Sequence, residues 1–136
     1  MSASWWSTAI APGWWSEVVT ARLSSDEHPD EVHELLILNT WFERMRGLLA
    51  TSPNASPVML TRCRSIHTFG MGYPIDVAFV GELGEVIEVR RALAPGVFAS
   101  NRDACCVVER PAQEGSWLEE GEHLWVVAIC ASSAGA

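Results

Sequence analysis

The chain contains no lysine. All its basic residues are arginine, and 17 acids against 9 bases leave a net charge of −8 over 136 residues. Without an ε-amine there is no Schiff-base chemistry and no lysine base. The acidic excess argues against non-specific nucleic-acid binding, because phosphates are repelled, and against docking on anionic lipid. Long hydrophobic runs are missing too: the longest apolar stretches are strand-sized, too short for a membrane span. Met1 to Ile10 lacks the basic region and apolar core of a secretory signal. Cys63, Cys105, Cys106 and Cys130 form no Cys-x-x-Cys pair, and adjacent Cys105 and Cys106 are expected on opposite faces of a strand. A disulfide framework is therefore not expected, and reduced thiols in a cytoplasmic protein fit better. No internal repeat or low-complexity tract is present.

What is there has an ordinary globular balance, 49% apolar and 19% charged, at a length that suits one domain with one core. That β-rich domain is expected over residues 17–131, between a Trp-rich arm at 1–16 and a flexible Ser/Ala/Gly tail at 132–136. Trp5, Trp6, Trp14 and Trp15 carry too much apolar area to leave in water. The expectation is an arm packed on the domain; the alternative is a partner contact or homodimer interface.

Strand patterns run over Glu17–Leu23, Val32–Asn39, Val58–Cys63, Ile75–Val80, Glu85–Arg91, Ala104–Glu109 and His123–Ala131. Gly81-Glu82-Leu83-Gly84 predicts a hairpin turn, and Glu114 to Glu122 a turn with a short helical piece. Thr40 and Glu43 have the spacing of a capping box, with Trp41, Met45, Leu48 and Leu49 following at helical intervals. The predicted fold is mostly β: a small antiparallel barrel or sandwich with one short helix at 40–50.

The richest stretch is Cys63 to Val80, which sets Cys63, His67, Met71 and Asp76 beside Gly70, Gly72 and Pro74, ahead of an apolar strand. Reactive side chains on a short loop anchored by a buried strand are a common way to build a site. Asp76 heads a run that is apolar on both faces. Burial there raises a carboxyl pKa unless a cation pairs with it, and Arg44 is the expected partner. His67 is suited to acid, base or ligand roles. Cys63, His67 and Asp76 also have the makings of a thiol-nucleophile set, and Ser65 and Thr68 lie close by. Cys63-x3-His67-x3-Met71 invites a soft-metal, copper-like reading, with His33 or His123 as a second imidazole. Met71 and Tyr73 are expected to line or pack the site. Arg62 and Arg64 flank Cys63 and would make an anion pocket if they converged with Arg44. Gly70 and Gly72 are expected to supply positive φ or close approach, and Tyr73–Pro74 is a place for a cis bond.

Taken in order, these segments resemble the bacterial and archaeal domain of unknown function family 192, over roughly residues 33–130. Arg44-Met45-Arg46-Gly47-Leu48-Leu49 is similar to the family's Arg-x-x-Gly-Leu-Met. Met71-Gly72-Tyr73-Pro74-Ile75-Asp76-Val77 is similar to its Met-x-x-x-Pro-Leu-Asp segment, one residue tighter. Val108-Glu109-Arg110-Pro111-Ala112-Gln113 stands where the family has Leu-Glu-x-Pro-Ala-Gly, and Gly121-Glu122 where it has Gly-Asp before the last strand. The resemblance implies a compact, mostly β domain and supplies no reaction.

The function expected from all this is non-catalytic: an accessory domain that binds a small-molecule or protein partner at a small polar site built from Arg44, His67, Met71, Tyr73 and Asp76, with no cofactor. One alternative is a small hydrolase using His67 and Asp76 as acid–base groups. The other is a copper-type site at Cys63, His67 and Met71.

Overall fold

The structure is a computed structural model that describes residues 17–38, 48 and 51–133. Nine strands form: β1 (Glu17–Ser25), β2 (His33–Leu38), β3 (Val58–Thr61), β4 (Ser65–His67), β5 (Ile75–Val80), β6 (Val86–Leu93), β7 (Phe98–Ser100), β8 (Cys106–Pro111) and β9 (Leu124–Ser133). Seven make one sheet in the order β6-β5-β8-β3-β2-β1-β9, and β4 pairs with β7 in a separate two-stranded sheet. The mostly β fold holds, and there is no helix among the described residues. The large sheet is mixed rather than wholly antiparallel, because β2 and β3 run parallel, Leu36 opposite Val58. A parallel pair needs a crossover rather than a hairpin, and residues 39–57 provide it. The helix expected at 40–50 lies, apart from Leu48, outside the described residues, as do Arg44, the Trp-rich arm and the end of the tail.

The sheet does not close into a barrel. Its two edge strands meet at their starts, through an isolated antiparallel bridge between Glu85 and His123 and the bonds from Val86 N–H to Glu122 C=O and from Leu124 N–H to Gly84 C=O. Gly84 takes φ 87 in the turn that brings this about, a conformation cheap for glycine alone.

Side-chain alternation divides the interior in two. On one face, residues from all seven strands, including Ala21, Leu35, Met59, Ala78, Val86, Val108 and Leu124, pack with Trp117 and Leu118. On the other, Leu60, Val77, Phe79 and Val107 pack against Leu48, Ile66, Met71, Tyr73 and Ala99. The β4–β7 ribbon therefore lies over the second face. β5 and β8 are buried along their whole length, as the unbroken apolar run Val77–Val80 predicts.

Four local expectations change. β8 starts at Cys106 and continues through Pro111. Cys105 therefore precedes the strand instead of alternating with Cys106, and both thiols sit with the first cluster. Residues 114–122 form turns without a helix. The Tyr73–Pro74 peptide is trans, and of the two loop glycines only Gly70 takes positive φ.

Candidate functional site

Asp76 is the second residue of β5, and alternation turns it toward the face that holds Trp117. It is buried, and its carboxylate is fully engaged. One oxygen accepts the Ala92 N–H at 2.8 Å and lies 3.3 Å from Arg91 Nε. The other accepts Arg110 Nε at 2.8 Å and the Gln113 N–H at 3.3 Å. Burial pushes the carboxyl pKa up. The donors from Ala92, Arg110 and Gln113 and the charge of Arg91 outweigh that and hold it below the usual aspartate value. Arg110 is itself fixed, with its guanidinium 4.7 Å over the Trp117 ring. Arg91 reaches on to the carbonyls of Gln113 and Gly115. Ala92 has φ 51, unusual for a residue with a Cβ, and its bond to Asp76 holds that kink. A cavity of ≈ 300 Å³ lies beside the pair, lined by Asp76, Arg91, Ala92, Ala112, Gln113 and Glu114. Asp76 meets it with both carboxylate oxygens taken up by protein hydrogen bonds and ion pairs, so it is an anchor rather than a base.

The cations that engage Asp76 among the described residues are thus Arg110 and Arg91, which the sequence does not mark as its partners. The motif Glu109-Arg110-Pro111 and the pair Arg90-Arg91 contain them, but only the strand registers Asp76↔Arg110 and Val77↔Arg90 bring them in.

His67 lies elsewhere. It closes β4, whose Ile66 points into the second cluster, and alternation turns His67 outward. Its ring stacks on Phe69 with centroids 5.5 Å apart and planes 26° apart. Phe98 of β7 is its cross-strand partner. Phe69 and Phe98 are 54% and 61% exposed. The seven-stranded sheet separates this group from the Asp76 carboxylate. Met71 and Tyr73 pack in the second cluster, where the Tyr73 hydroxyl donates to Thr51 and the Thr51 hydroxyl to the Leu48 carbonyl.

Cys63 is half-buried and donates to the Ser65 carbonyl at 3.1 Å. Neither Cys63 nor His67 belongs to the group of metal-competent His, Cys, Asp and Glu side chains that forms among the described residues. His123 is engaged with Glu27 at 3.2 Å, and His33 lies 3.9 Å from Glu31. Of the three residues of the copper reading, Met71 packs in the second cluster, Cys63 is half-buried against it and His67 faces solvent. Arg62 and Arg64 do converge, on a cavity of ≈ 620 Å³ that also takes Glu82 and Cys105, so the pocket is not purely cationic. Cys106 is buried beside it, and that burial pushes its thiol well above the usual range.

Glu109 is a second buried acid, on β8. It faces the second cluster between Val58 and Val77. Burial raises its pKa to about 7, and the Leu48 N–H, which it accepts, offsets part of that rise.

No family model matches the chain, and no curated protein does. Two solved bacterial structures share its fold. One is a protein of unknown function from Novosphingobium aromaticivorans DSM 12444, at TM-score 0.64 and 14% identity, over 85% of this chain and 90% of that one. The other, from Sinorhizobium meliloti 1021, is named as a candidate transcription regulator; it matches at TM-score 0.60 and 16% identity, over 85% of this chain and 98% of that one. At these identities the likeness is one of fold alone.

Proposed function

We propose that this chain is a non-catalytic binding domain that engages a partner through the aromatic group His67, Phe69 and Phe98. One observation carries the reading: the stacked rings of His67 and Phe69 stand in solvent, with exposed Phe98 at the strand position opposite His67, on a two-stranded ribbon packed on the core through Ile66 and Ala99. Apolar side chains scattered singly are ordinary, whereas exposed aromatics grouped on one ribbon are what interfaces use. The saturation of Asp76 supports the non-catalytic side of the reading, since a His67–Asp76 acid–base pair needs a free carboxylate within reach of the imidazole. The order of the motifs around Arg44, Asp76, Glu109 and Gly121 supports kinship with domain of unknown function family 192. A regulatory role of the kind carried by the Sinorhizobium protein's name would reach this chain through protein contacts, because a net charge of −8 repels DNA. A cytoplasmic setting suits cysteines that form no disulfide among the described residues.

A photo-crosslinking residue placed at Phe98 in producing cells tests the patch, with the same probe at Leu83, which is 74% exposed on the hairpin turn, as control. The expected result is a discrete adduct from position 98, none from position 83, and at least about a threefold weaker adduct in the Phe69→Ala background, since a truncated anchor costs on the order of 1 kcal/mol. Equal labelling from both positions, or indifference to Phe69→Ala, would overturn the proposal.

A further inference from the structure

Away from the aromatic patch, the loop joining β1 to β2 meets the turn that leads into β9. Asp26 N–H donates to the His123 carbonyl at 3.2 Å, and His123 N–H donates to Glu27 at 2.9 Å. This docking brings His28 against Glu119 and Glu122. The ligand-capable atoms of these three side chains all lie within 4.8 Å of one another. Gly121, at φ 93, makes the turn that folds Glu119 back on Glu122.

Glu122 is the informative member. It is only 4% exposed, yet it has little holding it. Oε1 accepts the Glu119 N–H at 2.9 Å. The His28 Nε2 is 3.9 Å from that same oxygen, beyond hydrogen-bond reach. Among the described residues no donor reaches Oε2. A buried carboxylate oxygen left without a donor is costly. Asp76, equally buried, accepts three hydrogen bonds and pairs with two arginines, and Glu122 is the contrast. With neutral His28 the three side chains carry two negative charges, and the charge of Glu122 is also felt at His33.

A cation at the centre of the triangle answers each of these features. Imidazole and carboxylate donors bind zinc-type ions at about 2.0–2.2 Å, so two donors across one ion lie at most about 4.4 Å apart. Three donors sharing one tetrahedral ion lie about 3.5 Å apart, so the observed separations, all within 4.8 Å, need side-chain closure of about 1.3 Å or less. The donor set has an imidazole and no thiolate or thioether, which favours Zn²⁺, Co²⁺ or Mn²⁺ over Cu(I), and over the all-oxygen shells of Ca²⁺ and Mg²⁺. We propose that His28, Glu119 and Glu122 form a binding site for one such divalent ion, which clamps the β1–β2 loop to the turn before β9. Three protein ligands leave a coordination position for water or a fourth ligand.

The test is titration of the whole chain with Zn²⁺ by calorimetry and with Co²⁺ by visible absorption, alongside amide exchange. Saturable binding of a single ion per chain is expected, with slower exchange in residues 26–32. His28→Ala and Glu119→Gln alter exposed side chains and leave the fold intact; each should weaken binding by about tenfold or more. Cys63→Ser should leave the affinity unchanged. Absence of saturable binding, unaltered affinity in His28→Ala, or loss of binding in Cys63→Ser would each overturn the site.

Discussion

Asp76 shows how one residue can be charged and buried at once. Its desolvation is compensated by two backbone N–H groups and two guanidinium groups drawn from the ends of β6 and β8 and the segment after β8. The two arginines are not equal. The Arg110 side chain is 10% exposed and stacked on Trp117, while that of Arg91 is 40% exposed. Asp76→Asn leaves Arg110 buried without a counter-charge, and a broken buried pair costs about 3–5 kcal/mol. Arg91→Gln removes a solvent-screened contact worth about 1 kcal/mol or less. Urea unfolding of both variants checks the ranking; similar midpoints would mean that Asp76 is not the anchor inferred here. A carboxylate at the head of an apolar run stands out in the sequence, which is why Asp76 is legible there. Arg110 is not, because it lies 34 positions away and arrives through strand register. His67 and Asp76, close in the chain, are parted because β4 and β5 belong to different sheets.

At the scale of elements, what the sequence reveals depends on strand length. Ile75–Val80 is read with its correct bounds because six consecutive buried residues leave a continuous apolar signature. β4 and β7 have three residues each, too few for alternation to register, and neither is legible. Parallel pairing of β2 with β3 is equally hidden, since residues paired across a crossover leave no local mark. The small ribbon owes its position largely to Thr68. This buried hydroxyl donates to the Ala94 carbonyl at 2.7 Å and accepts the Val97 N–H at 2.8 Å. Thr68→Val keeps the shape but strands both groups, at a cost of about 1–3 kcal/mol. The loss should stay local: hydrogen exchange at Val97 and Ala99 is expected to quicken by about tenfold or more, while Phe79 in the central strand keeps its protection. Uniform acceleration across both sheets would show instead that the ribbon and the large sheet open as one unit. Because the aromatic patch rides on this ribbon, the same variant should weaken the crosslink from position 98 without touching a ring.

For the molecule as a whole, the buried acids Asp76 and Glu109 pull stability in opposite directions along the pH axis. Asp76 has a folded pKa below its ordinary value of 3.8, so its contribution is complete above that value and fades as pH falls through the folded one. Glu109 is the reverse. Its folded pKa of about 7 stands above the ordinary 4.5, so the folded state holds a proton that the unfolded chain has released. Stability from this group is complete below pH 4.5 and is lost as pH rises toward 7 and beyond, by about 3 kcal/mol at 1.36 kcal/mol per pH unit. His33 runs against it near neutrality. Burial lowers its pKa despite Glu31 and Glu122, so it costs stability as pH falls below 6.5. A comparison with Glu109→Gln separates the two, because that variant keeps His33 and Asp76 and an amide oxygen for the Leu48 N–H but cannot ionise. Wild type and variant should unfold at similar urea concentrations near pH 4.5, and the wild type should fall behind by about 3 kcal/mol at pH 8. Parallel profiles would mean that Glu109 ionises freely in the fold, which in turn requires water or an unrecognised cation beside Leu48.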